Sequence, residues 1–307
     1  MKSFLSLLNP YRKALGLLAM IVLGLLLPQF HVLAGGIQYL VMLMLFFAFL
    51  DIDFQPRAFQ GRMIWAALAN IPVAFLAYFL LRPFDLTLAL AAFVTAIAPT
   101  GIATPVVIGF IQGRVEYVVG AMLVSNIAVA LALPLALPRV VGQAAQITTW
   151  QVLAPVTATM FIPLILALLS QRLPQGAQSI LRRGKSSSFA IWMFALFVMC
   201  AKAADFLRHN AADSLPMIFS IALVSLAICI VNFSLGAALG GSSHRQEASQ
   251  ALGQKNNSFM VWVALTFINP LAAMGPTFYI LYHNVYNSWL MYRFEQRLKS
   301  SAESDGG

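Results

Sequence analysis

The sequence predicts an all-α polytopic membrane protein: ten transmembrane helices arranged as two inverted five-helix repeats, with the fourth helix of each repeat discontinuous. Three observations carry this reading. Sixty per cent of the 307 residues are hydrophobic, 9% are charged and the mean hydropathy is +0.82, against about 25% charge in a soluble domain. The Lys and Arg residues collect in alternate loops. Two polar, helix-breaking stretches interrupt apolar runs at matching places in the two halves. In a lipid-embedded chain the net charge of +9 reports which loops face the cytoplasm, and it does not point to nucleic acid. Cys200 and Cys229 both sit in apolar runs, so neither a disulfide framework nor a metal cluster nor any cofactor is expected. The first apolar run starts near Ala14 and continues into more membrane, which reads as a first span and not as a cleavable signal.

Apolar runs punctuated by turn residues and charges put the spans at 14–33, 36–50, 63–81, 86–111, 116–137, 150–170, 187–206, 214–240, 249–267 and 270–291. Several carry proline (Pro28, Pro99, Pro105, Pro134, Pro163), which membrane helices tolerate where neighbours satisfy the freed backbone groups. With both termini cytoplasmic, fourteen of the 19 Lys and Arg fall in inner segments, including Lys2, Arg57, Arg62, Arg114, Arg172, Lys185, Arg245 and Arg293. Arg82, Arg139, Lys202 and Arg208 fall in outer loops, and Lys255 falls within a span. An odd number of spans would scramble that bias. The chain divides into 1–140 and 141–307, five spans each. An odd number of spans per half forces opposite orientations. That is the arrangement of inverted-repeat transporters of a cell's inner membrane, whose sites lie at the midplane in discontinuous helices.

Span four contains Ala98-Pro99-Thr100-Gly101-Ile102-Ala103-Thr104-Pro105, and span nine contains Leu252-Gly253-Gln254-Lys255-Asn256-Asn257-Ser258. Two prolines remove two donors and Gly101 permits a sharp turn, so carbonyls and the hydroxyls of Thr100 and Thr104 can turn into the protein. A cation at membrane depth costs about 3 kcal/mol on insertion scales and ordinarily faces a cavity. Two other readings stay open at this point: a simple proline kink, and a Lys255 that sits at a helix end and snorkels to the interface. Further polar residues at apolar depth are Asn70, Ser125, Asn126, Asn232, Ser234, His283 and Asn284. Each alone is accountable as a helix–helix hydrogen bond. Together they give spans three to five and eight to ten a polar core, beside a nearly apolar panel of spans one, two, six and seven. No phosphate loop, metal motif or soluble catalytic domain is present, so no enzyme is expected. The stretch 293–307 reads as a solvated end.

Phe46, Ala48, Asp51, Phe54 and Pro56, the 98–105 stretch, Lys255-Asn256-Asn257-Ser258, Gly275-Pro276 and Tyr282-His283-Asn284 together resemble the bile acid:sodium symporter family of ten-span organic-anion transporters, over about 43–290. The resemblance implies a panel domain of spans one, two, six and seven. It also implies a core domain of spans three to five and eight to ten, in which the broken helices four and nine cross. The implied partner, apart from the bilayer, is a small or medium organic anion moved by alternating access. Candidate binding residues are Thr100, Thr104, Ser125, Asn126, Lys255, Asn256, Asn257, Ser258, His283 and Asn284, with Lys255 also the candidate coupling residue. The departures from the family point away from sodium. The family's Ser-Asn pair reads Thr104-Pro105 here, its acidic ligand falls on Leu252, its Gln on Asn256, and its span-five hydroxyls on Val118 and Met122. A hard cation needs oxygen ligands, so Lys255 is expected either to stand in the place of the ion or to pair with the carboxylate or sulfonate of the substrate. A buried Lys exchanges its proton readily, which leaves proton coupling open. An uncoupled facilitator, and a sensor or structural subunit that kept the fold without transport, are the alternatives.

Overall fold

The computed structural model describes residues 12–50, 61–142, 148–184, 187–210 and 215–305. Among these, all regular structure is helical and no strand forms. Helix α1 (Arg12–Leu26) stops before Pro28, which opens a 3-10 segment, Pro28–Gly36, as its first residue and has no N–H to extend the α-helix. Helices α2 (Ile37–Phe49), α3 (Gly61–Leu68) and α4 (Asn70–Leu81) follow. Helix α5 (Leu86–Ile97) starts at an Asp85 cap that accepts from the Leu88 N–H at 2.8 Å. It ends because Pro99 forces Ala98 out of the helical region, to ψ 132°. The chain turns helical again only at α6 (Thr104–Phe110), with Pro105 inside the first turn, where its missing donor is harmless.

The long α7 (Val115–Val141) is followed by α8 (Thr149–Ser170), which opens with a Thr148/Gln151 capping box. After them come α9 (Gln175–Gly184), α10 (Ser188–Asn210) and α11 (Leu215–Gly240). A second interrupted helix pair consists of α12 (Arg245–Gly253), a non-helical step at 254–256, and α13 (Asn257–Phe267). Helix α14 (Pro270–Asp305) closes the chain.

Among the described residues five stretches are long and apolar enough to cross a membrane: Pro28–Phe49, Gly61–Leu81, Val115–Val141, Thr149–Ser170 and Leu215–Gly240. Leu76, Phe79, Phe219 and Val285 are each at least 60% exposed, apolar surface that water does not tolerate in such amounts and lipid does. This is an all-α membrane protein. Helices α5 and α13 are apolar but short, at 12 and 11 residues, because Pro99 stops the first and the second starts only after the non-helical step at 254–256. Helix α10 packs on α1, the 3-10 segment and α2, and α2 packs on α8. Helix α5 packs on α4, α11 and α14, α11 on α12 and α14, and α13 on α14.

Four details depart from the sequence reading. The first span is an α-helix followed by a 3-10 segment, since Pro28 breaks it. Lys202 and Arg208, read as outer-loop charges, lie on the C-terminal part of α10. There Asp205 meets His31 of the 3-10 segment at 3.5 Å. The stretch read as a solvated end continues α14 as helix to Asp305. The loop 172–188 contains the amphipathic α9. Asp51, Phe54, Pro56, Lys2, Arg57 and Lys185 lie outside the described residues.

Candidate functional site

The two interruptions meet. Gly101 N–H donates to Gln254 O at 2.7 Å and Asn256 N–H donates to Pro99 O at 2.7 Å, so Thr100 and Lys255 form an isolated antiparallel bridge. Backbone that has left the helix must bond elsewhere, and each break supplies the other's partner. The approach is close enough that a Cβ on Gly101 would lie 2.9 Å from Lys255 O and 3.2 Å from Gln254 O. Only glycine fits there without pushing the two strands of chain apart.

Three carbonyls at the C-terminal end of α5 are taken by side chains. Asn70 Nδ2 donates to Ile97 O at 3.0 Å and Ala98 O at 3.3 Å. Lys255 Nζ donates to Ala96 O at 3.1 Å. The Lys255 side chain is 3% exposed, which excludes the interfacial, snorkelling placement. The ammonium sits instead on the partially negative end of a half-helix, where a cation is favoured. At the other break, Tyr279 O–H donates to Gly253 O at 2.7 Å and accepts from Asn232 Nδ2 at 3.2 Å. The Asn256 side chain caps α13 by accepting from the Phe259 N–H at 3.4 Å.

Four of the candidate residues turn inward as supports of this crossing. Thr100 O–H donates to Ala251 O at 2.6 Å, and Thr104 O–H donates to Gly101 O at 2.7 Å. Ser125 Oγ accepts from Thr100 N–H at 3.1 Å, and Asn126 Nδ2 donates to Thr100 O at 3.2 Å and Met122 O at 2.7 Å. All four are buried, and none lines the cavity beside the crossing.

That cavity has a volume of about 640 Å³. Lys255, Asn256, Asn257, Ser258, His283 and Asn284 line it on one side, with Gln254 and the 101–103 turn. Another part of the lining is apolar and aromatic: Met44, Phe47 and Ala48 of α2, and Trp192 of α10, with Ser188. Gln254 Oε1, Asn256 Nδ2, both amide atoms of Asn257, His283 Nδ1 and Ser188 Oγ are buried without a hydrogen-bond partner. A buried polar group left unsatisfied costs about 1–3 kcal/mol, and these six atoms belong to residues that surround one space. No Asp or Glu lines the cavity among the described residues. The positions matched to sodium ligands offer it little: Val118 and Leu252 are buried apolar groups and Thr104 O–H is engaged on Gly101 O.

Three residues of this site escaped the sequence reading. Gln254 stood inside the quoted stretch without being singled out. Trp192 looks like an ordinary apolar residue of its span, yet its Nε1–H donates to Ser258 Oγ at 3.0 Å. Tyr279 likewise reads as packing until Gly253 O is known to lie beneath it. Ser234, read as midspan polarity, is exposed and lines a different groove. No family model matches the chain, and no curated protein matches it either.

Proposed function

We propose that the protein is a secondary transporter of a small or medium organic anion. It works by alternating access and without sodium, with the Lys255 ammonium occupying the place of a bound cation. The observation that carries the reading is the cavity wall at 254–258. Unpartnered amide donors of Asn256 and Asn257 and the imidazole of His283 surround the N-terminal end of α13, the partially positive end of an 11-residue helix. Helix starts with free donors suit a carboxylate, sulfonate or phosphate. The aromatic and thioether wall of Phe47, Met44 and Trp192 suits an apolar body attached to it.

The reading includes ten spans in two inverted five-helix repeats, both termini cytoplasmic in a cell's inner membrane. Spans one, two, six and seven form a panel that moves against a core of the other six, as in the bile acid:sodium symporters that the chain resembles. Two interrupted passes, α5–α6 and α12–α13, at matching places in the two halves support it. The uncoupled facilitator is the second reading, favoured by the lack of any carboxylate along the cavity among the described residues. No enzyme activity is proposed.

A thermal-shift screen of organic anions on the purified protein tests the proposal, since a ligand at 100 times its Kd stabilises by about 2.7 kcal/mol. The hit is then followed in proteoliposomes with the interior at a higher concentration than the exterior. Net accumulation separates a coupled transporter from a facilitator. A screen in which no anion shifts the wild type, while neutral or cationic analogues do, overturns the substrate class.

A further inference from the structure

A second groove runs along the outside of the molecule between α11 and α14, closed at one end by the start of α12. Its volume is about 1010 Å³, and it shares no lining residue with the central cavity. Successive faces of α14 separate the two: His283 and Asn284 face the cavity, whereas Val285, Tyr286 and Trp289 face the groove. The rims are lipid-exposed apolar residues, with Ile230 at 59%, Val285 at 70% and Trp289 at 48% exposure. One end holds Arg245, Arg293 and Arg297 with no acidic residue in the lining, and the other end is closed by Leu226, Cys229 and Tyr282. Arg293 lies over the Trp289 ring at 5.1 Å, which fixes its guanidinium at the rim.

From Tyr282 to Arg293 the groove follows eleven residues of helix, about 16 Å at 1.5 Å per residue. That is close to one leaflet of a hydrocarbon core about 30 Å thick. A groove as long as a leaflet, apolar along its length and tri-basic at one end, matches one occupant in charge and in shape. We infer that it binds an anionic phospholipid, with one acyl chain along α11 and α14 and the phosphate held by Arg245, Arg293 and Arg297. Basic pockets between membrane helices hold anionic headgroups in this way. The inference rests on the membrane class of the chain and is independent of the transport reading.

The test uses full-length protein in detergent, titrated with phosphatidylglycerol or phosphatidylcholine of the same chains, and separately with inorganic phosphate. Thermal unfolding and native mass spectrometry are the readouts. Phosphatidylglycerol should give a saturable rise in melting temperature and a retained one-to-one adduct. Phosphatidylcholine and inorganic phosphate should give neither. The double variant Arg245→Gln/Arg293→Gln should weaken phosphatidylglycerol binding at least tenfold. Ser234→Trp should block it by filling the groove while the three arginines remain, and it decides the matter if the arginine pair fails to fold. Equal binding of the two lipids, or undiminished binding in Ser234→Trp, overturns the inference. A full shift with inorganic phosphate alone also overturns it, because that result describes a headgroup-sized anion site without a chain.

Discussion

Replacing Lys255 by Met keeps an unbranched side chain of similar length and removes the ammonium alone. Side chains satisfy three carbonyls at the end of α5: Ala96 O by Lys255, Ile97 O and Ala98 O by Asn70. The substitution strips the first and leaves a buried carbonyl bare, at about 1–3 kcal/mol. The favourable placement of a cation at a helix C-terminus contributes about 0.3–2 kcal/mol more. Relief of a desolvated charge acts in the opposite sense and trims the sum to about 2 kcal/mol. At about 2–4 °C per kcal/mol, the empty protein should melt roughly 4–8 °C lower. Lys255→Gln, which retains an N–H donor, should recover part of that loss. Lys255→Arg should recover little, because a planar guanidinium does not fit a site shaped for a compact ion. Proteoliposome uptake of a screened anion should vanish in Lys255→Met at every substrate concentration. Unchanged melting with weakened binding alone would show that Lys255 pairs with the substrate and not with α5. Wild-type melting and wild-type uptake together would refute both roles.

The ion-ligand positions Pro105, Leu252, Val118 and Met122 offer no side-chain oxygen, so affinity for a screened anion in sodium and in choline buffers should agree within about threefold, below the 1.4 kcal/mol of a tenfold change; a millimolar sodium requirement contradicts this. Gly101→Ala places a methyl 2.9 Å from Lys255 O and should destabilise by about 1–3 kcal/mol as overpacking does, read as a lower melting temperature with uptake lost; wild-type behaviour would mean that the crossing is loose. Tyr279→Phe removes the hydroxyl that holds Gly253 O and should lower stability by about 1–3 kcal/mol, with anion affinity changed less than threefold, since Tyr279 does not line the cavity. Single cysteines at Ser187 and at Gln143, which lies outside the described residues, should label from opposite sides of the membrane; labelling from one side rejects the ten-span count.

The breaks were legible in the sequence because their causes are local. Pro99 removes a donor and constrains Ala98, Gly253 ends a helix, and a polar run of four residues cannot continue an apolar one. The partners of those breaks were not legible, because Gly101 N–H to Gln254 O and Asn256 N–H to Pro99 O join segments remote in the chain. The candidate list therefore had the right depth and a mixed direction. Thr100, Thr104, Ser125 and Asn126 stand at the level of the cavity, yet each makes a hydrogen bond to backbone nearby. A short hydroxyl or amide next to a broken helix meets a carbonyl before it meets anything else. Trp192 and Tyr279 failed in the opposite way, since an aromatic ring in an apolar run signals packing and its polar tip signals nothing until the partner is in view. The charges of 172–188 concealed α9, because Arg182 and Arg183 mark a loop as readily as the polar face of a short helix.

In the proposed transport, the crossing keeps the fixed cation apart from the anion. The ammonium of Lys255 points to the end of α5, where carbonyl dipoles answer it, and the start of α13 faces the cavity with Asn256 and Asn257. In the proposed cycle an incoming anion would meet amide donors and a helix start first, with the fixed cation behind them. Too tight an ion pair would hold the anion and slow its release; donors backed by a charge already engaged elsewhere bind more weakly and let it leave. The moving surface in the proposed cycle should then be the apolar wall. Met44, Phe47 and Ala48 face the core with apolar groups, and Trp192 Nε1–H to Ser258 Oγ is a hydrogen bond that ties α10 to the 254–258 wall. Apolar contacts re-form at each new register without a directional penalty, whereas the bonded bridge between Thr100 and Lys255 cannot slide. The same reasoning makes Trp192 the one side chain in that wall whose removal should change the rate of exchange more than the affinity.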